Sequence, residues 1–276
     1  MGLQTQKVSE NSLAIQANGN VTVNDYIQIK EICTDLYRLN FPALVKEASD
    51  KAKENLKLYV DTLIMKIDKE DEARVQENLK TPNGQYVLNE SIKNSIRYGQ
   101  KIDLSILAES VKTALVCDDD LLNNLFSYAS EIIPRLNKYQ MQMILTSFYI
   151  HILSFKIENF QLVELFTQIL FRNMNNFELM TNANKQHLVS LGVFSFNQFA
   201  GDTGISFIQR KYPTFFGNDI KPAFEAGKMP FLQKVLNYYD SNKIVQYVIN
   251  PVGSSIGFLI AKQELPDLSP SILINL

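Results

Sequence analysis

Residues 44–67 read LVKEASDKAKENLKLYVDTLIMKI, and their periodicity decides the class of fold. Leu44, Val45, Ala48, Ala52, Leu56, Tyr59, Val60, Leu63, Ile64 and Ile67 recur at helical spacing, while Lys46, Glu47, Asp50, Lys53, Glu54 and Lys57 take the opposite side. This pattern lays one apolar stripe along a helix of about six turns. Such a stripe needs cover, either from a neighbouring helix or from a second copy in a short coiled coil. Leu56 and Leu63, in the middle of the stripe, are therefore candidate interface residues.

The same periodicity continues on both sides. Upstream, Ile29, Ile32, Cys33 and Leu36 predict a helix from 24 to 40, ended by Asn40 and Pro42. Downstream, charge peaks over 66–77, and Thr81-Pro82-Asn83-Gly84 reads as a turn. Further helices are expected near 86–99, 103–116, 121–133, 137–155, 159–174, 184–191, 203–211, 228–239 and 250–262. Asp103 and Asn250 serve as caps, with Pro251 in the first turn of the last. The tail, 268–276, contains Pro270 and reads as extended.

Strand signals are confined to the front and, more weakly, the tail. Leu13, Ile15 and Ala17 alternate with polar residues, Asn18-Gly19-Asn20 favours a tight reversal, and Val21-Thr22-Val23 follows. A lone two-stranded ribbon is barely stable in water, so this segment needs a partner edge. Ile15, Val21 and Val23 join Leu56 and Leu63 as interface candidates. The expected architecture is mainly α: a multi-helix bundle with a short N-terminal β-strand or hairpin and a long amphipathic second helix. Its divisions are 1–24 as a flexible front with the β segment, 25–80 as a helical hairpin suited to oligomerisation, and 81–276 as the helical body.

Composition bounds the function. The 276 residues are 46% apolar and 20% charged, which fits a globular chain and argues against disorder. The 27 basic and 29 acidic residues give a net charge of −2, and no basic stripe appears, so nucleic acid is not an expected partner. Cys33 and Cys117 both sit in helical patterns and suggest no disulfide framework. The most apolar run, 141–155, is broken by Gln142 and His151 and is too short to span a bilayer. Residues 1–12 lack an apolar core. A cytoplasmic protein without membrane insertion is expected.

Local motifs suggest chemistry without supplying its partners. Gly253-Ser254-Ser255-Ile256-Gly257 matches a nucleophile elbow, but that mechanism needs a later histidine, and the last one is His187. Small residues there suit close helix packing instead. His151, in an apolar helix, reads as a buried or half-buried residue with one hydrogen-bond partner. No metal-ligand spacing links the two histidines and two cysteines. Asp118-Asp119-Asp120 fits a helix N-terminus, where negative charge complements the dipole, better than a cation loop. Gly201-Asp202-Thr203-Gly204 carries an Asp-Thr-Gly with no second copy, so it reads as a turn with Asp or Thr capping the next helix. No cofactor motif is present.

Six segments in order carry a family resemblance: Ile15 to Val23, Tyr26 to Phe41, Asn83-Gly84-Gln85-Tyr86, His187-Leu188-Val189-Ser190-Leu191-Gly192, Lys211-Tyr212-Pro213-Thr214-Phe215-Phe216 and Asn250-Pro251-Val252-Gly253. Together they resemble an uncharacterised bacterial family of helical proteins with a short β segment at the front. Asn18 stands where that family is expected to have Gly, which affects only the turn. The resemblance implies no activity and carries over no catalytic residue; it implies an association with anti-phage defence islands. The resulting expectation is a non-enzymatic interaction or self-assembling protein, a homo-oligomer or one that binds a partner protein, within a bacterial conflict system. The alternative is a hydrolase or nuclease whose site gathers scattered carboxylates.

Overall fold

A computed structural model of the chain describes residues 25–40, 46–156, 159, 161–174, 177–216, 224 and 226–274. The front β segment, with Ile15, Val21 and Val23, lies outside the described residues. Helices dominate: α1 (Asp25–Asn40), α2 (Lys46–Lys66), α3 (Glu72–Asn78), α4 (Pro82–Tyr98), α5 (Leu104–Val116), α6 (Asp120–Ile132) and α7 (Lys138–His151) lead the order. After them come α8 (Gln161–Phe171), α9 (Asn182–Ser190), α10 (Gly204–Lys211), α11 (Pro213–Phe216), α12 (Pro230–Ser241) and α13 (Pro251–Glu264). The mainly-α expectation holds.

The stripe on α2 is real, and the chain covers it. Ala52, Leu56, Tyr59, Val60 and Leu63 are buried where α4 and α5 pack on α2. Tyr59 donates its hydroxyl to Ser91 Oγ (2.8 Å), and Asn55 Nδ2 reaches the carbonyl of Ile96 (3.0 Å). Leu56 and Leu63, at 7% and 1% exposure, lie inside one fold. Their side chains are not on offer to a second copy. Periodicity shows that a stripe needs cover; it does not say which chain provides it.

Capping sets most helix starts. Asp103, Asp119, Thr181 and Thr203 each accept a backbone N–H from the first turn that follows, and Asn137 forms a full capping box with Gln140. Thr81 does the same for α4, accepting from Gly84 N (3.0 Å). The stretch read as a turn is therefore that helix's opening, with Pro82 in its first turn. The charged region 66–77 contains α3, which the sequence reading lacked. Val75 and Leu79, both buried, hold it down, with α5 as its neighbour.

Two helices form the centre. Gln140 to Ile150 on α7 and Val252 to Ala261 on α13 are buried on all sides. The two pack on each other, and α13 also meets α5 and α6. Their approach depends on Gly257, where a Cβ would fall 2.5 Å from Phe148 Cβ. Ser255 is fully buried and donates to the carbonyl of Val252 (2.8 Å), as a small residue in close packing does. Glu164 on α8 accepts from the backbone N–H groups of Phe231 and Leu232 (both 2.9 Å), fixing the start of α12.

A two-stranded antiparallel ribbon, β1 (Phe194–Phe196) with β2 (Tyr247–Ile249), joins distant parts of the chain. Strands were expected only at the front and tail. The tail instead makes a 3₁₀ turn over Pro270–Leu273, with Leu273 buried. Asn250 also departs from expectation. Its side chain does not cap α13 but donates to Gly192 O (3.0 Å) and accepts from Ser195 Oγ (2.9 Å), tying the ribbon together.

Leu63→Ala is expected to cost about 2–5 kcal/mol in urea unfolding; a cost within error of zero would mean the α2 stripe is not packed. Gly257→Val should destabilise by about 1–3 kcal/mol or more through overpacking against Phe148, and a variant that melts like the parent would contradict the close crossing.

Candidate functional site

Where α7 ends, several segments converge on a cleft of about 790 Å³. This lies within the usual range for binding pockets, roughly 300–1,000 Å³. His151 and Ile152 form one wall, Ala200, Gly201, Asp202 and Phe207 a second, and Val245, Tyr247, Val248 and Ile249 with Pro251 and Ser254 a third. The lining is chiefly apolar.

The C-terminus of α7 leaves carbonyls without helical partners. Lys211 Nζ takes one of them, Tyr149 O (2.7 Å), and with it the carbonyl of Leu153 just beyond the helix (2.8 Å), the position where a cation suits the helix dipole. Burial pulls its ammonium down to about 7. His151 Nε2 hydrogen-bonds the Tyr239 hydroxyl (2.9 Å), and the ring meets Phe207 edge-on at 4.4 Å. Burial, then the positive charges of Lys211 and Arg210, hold its imidazole down to about 4. It is half-buried, neutral at pH 7, and has the hydrogen-bond partner expected of it. Arg210 pairs with Asp202 (2.8 Å) and lies over the Phe207 ring. Thr203, not Asp202, caps α10.

The third wall is a strand edge. Asn197 N–H to Gln246 O (2.7 Å) and Asn250 N–H to Val193 O (2.9 Å) bracket the ladder. Alternation in an antiparallel pair then makes Ser195 and Val248 the residues that exchange hydrogen bonds. The backbone groups of Tyr247 and Ile249 turn away from β1. Tyr247 N–H is satisfied by Ile244 O. The carbonyls of Tyr247 and Ile249 and the N–H of Ile249 have no partner among the described residues. The cleft is lined from β2 and not by any residue of β1, so it lies along this open edge. Val248, Phe196 and Phe199 are exposed beside it.

A second cavity, of about 530 Å³, is more polar. Its carboxylates are engaged: Asp103 caps α5, while Glu264 holds Arg172 and accepts from Asn173 (2.6 Å). In the acidic run, Asp119 caps α6 and Asp118 pairs with Arg74. His187 Nδ1 accepts from Gln140 Nε2 (2.9 Å). Cys33 and Cys117 are free thiols, and burial pushes the first up to about 12. Among the described residues no group of His, Cys, Asp and Glu is placed to hold a metal ion, and no helix is long and apolar enough to cross a membrane.

The model of one protein family matches residues 24–226. The chain belongs to that uncharacterised family. No curated protein and no solved structure matches it. The family match takes in the His151 and Phe207 walls and stops before β2 and α13. Sequence reasoning singled out His151, Asp202 and Ser255. It missed Ile152, Phe207 and the β2 edge. Tyr247-Val248-Ile249, β-rich and closed by Asn250-Pro251, was the available signal for the last.

Between about 6.5, the ordinary imidazole value, and about 4, the unfolded chain binds a proton that folded His151 refuses. His151 therefore contributes stability that is fully present above that window and lost as pH falls through it. An NMR titration should show no step in the His151 ring signal from about pH 8 to about pH 5; a midpoint near 6.5 would mean the ring is solvated. His151→Gln should flatten the corresponding part of the pH–stability curve.

Proposed function

We propose that this protein is a non-enzymatic interaction module that receives an extended apolar segment in the cleft beside β2. The observation that carries this reading is the open edge of β2 running along an apolar wall. Main-chain hydrogen bonds to a free edge supply affinity, and pockets for alternate side chains supply selectivity. The charged groups around the cleft are already committed to neighbours: Asp202 to Arg210, and Lys211 to two carbonyls. His151 is held neutral by its surroundings. These features suit recognition by shape and backbone.

The reading extends to context. The sequence resemblance supports a role in a bacterial conflict system, and two cysteines outside any disulfide framework support a place in the cytoplasm. The hydrolase or nuclease alternative calls for carboxylates gathered and free at one cavity, and no specific observation favours it.

A labelled, uncharged peptide of alternating Val and Thr is the probe. It is expected to bind saturably in fluorescence anisotropy, with Gly201→Trp abolishing the signal. Gly201 lines the cleft and a Cβ there meets no atom within 4 Å, so an indole at this position is expected to occupy the cleft with the fold kept. Equal binding to parent and variant would sink the reading.

A further inference from the structure

We propose that the strand position beside β2 is filled by residues 13–23 of a second copy of this chain. The inference rests on the reading of the cleft as a receptor for an extended segment, and it adds the occupant.

The cleft sets the requirements. An occupant must present backbone groups to Ile249 N–H and to the carbonyls of Tyr247 and Ile249. It must place apolar side chains at alternate positions, toward Ile152, Phe207 and Val245. It must bring no charge. Asp202 is engaged by Arg210, and His151 is bonded to Tyr239, so a charged side chain entering the cleft would lose water without finding an ion partner.

Residues 11–24, NSLAIQANGNVTVN, contain no Asp, Glu, Lys or Arg in a chain that is 20% charged. Leu13 and Ile15, and again Val21 and Val23, are two apart, the spacing that puts side chains on one side of an extended segment. Ile15, Val21, Thr22 and Val23 are β-branched, the residue type that suits a pleated, half-buried surface. The segment and the cleft match in polarity, period and hydrogen-bonding need.

The anchoring of the segment at α1 is the ground for assigning it to another copy. Val23 is two residues from Asp25, so it lies within about 7 Å of the start of α1. α1 packs on α2 and α4, and neither these nor α1 lines the cleft. The segment therefore starts beside elements that do not themselves line its own cleft. Two copies exchanging segments would satisfy both edges at once in a closed, two-fold arrangement.

The test uses the full chain and measures molar mass in solution by light scattering at tens of micromolar. The parent is expected at twice its 31.5 kDa. Val21→Pro removes a ladder donor from the segment, and Gly201→Trp blocks the cleft. Each alone should run as a monomer with an unchanged far-ultraviolet circular dichroism spectrum. Mixing the two should restore dimers, because one variant keeps an intact cleft and the other an intact segment. Misfolding of either variant cannot produce that result. A parent that is monomeric overturns the proposal, and so does association that survives Val21→Pro. If Gly201→Trp dissociates the protein but Val21→Pro does not, the cleft remains a docking site and its occupant is a different segment. If the Val-Thr peptide also fails to bind the Val21→Pro variant, whose cleft no longer receives the segment, the reading of the cleft itself falls.

Discussion

The closeness with which α13 crosses α7 governs the rest of the molecule. Both helices are buried along most of their length, so each must satisfy neighbours on every side. Gly257 lets Phe148 come within a distance that any side chain would forbid. One turn earlier, Gly253 opens the same face to the backbone carbonyl of Val193. That second approach sets the residues before β1 against the start of α13, beside Asn250 and the end of β2. The two glycines of the apparent hydrolase motif thus fix both the helix crossing and the place where the ribbon forms. Their chemistry is steric, and the serine between them is simply small enough to be buried.

Charge is handled by commitment to neighbours. Glu109 lies between Lys66 (3.4 Å) and Lys262 (3.2 Å), linking α5 to α2 and α13. Lys112 pairs with Asp71 at 2.7 Å. Burial alone would push its ammonium down, but the hydrogen bond and charge of Asp71, helped by Glu109 and Asp68, raise it instead. Breaking such a pair strands a buried charge, which costs far more than the pair contributes. Around the cleft the same habit leaves little free charge, and a surface of that kind discriminates by shape and by main-chain pairing.

Much of the helical layout was legible because caps and apolar periodicity are local. Asp103, Asp119, Asn137 and Thr203 announce helices through hydrogen bonds to N–H groups two or three residues away, and those geometries depend on little else. The ribbon was not legible for the opposite reason. Phe194-Ser195-Phe196 and Tyr247-Val248-Ile249 are each too short for a period to register, and what makes them strands is pairing with a segment about fifty residues distant. The cleft inherits the difficulty, since its walls come from the end of α7, the approach to α10, and β2. α3 was hidden by its charge, because only Val75 and Leu79 mark a buried side. Leu56 and Leu63 were read correctly as needing cover, and the structure supplies that cover from within.

The two edges of the ribbon differ in a way that bears on its role. α9 packs against β1 and α7 against β2, but only β2 lines the cleft. Proteins usually blunt an open edge with lysine, proline, a bulge or a covering element. Tyr247, Val248 and Ile249 carry no charge, and proline appears only after the strand, at Pro251. A three-residue ribbon would be marginal in isolation. Here Asn250 ties it to Gly192 and Ser195, while α13 anchors it from below, so the edge can remain open without unravelling. The shared family region reaches the walls that hold His151 and Phe207 and ends at residue 226, before the strand that offers its backbone. The apolar wall thus lies within the family match, whereas the hydrogen-bonding edge comes from the remainder of the chain, and an extended occupant would need both.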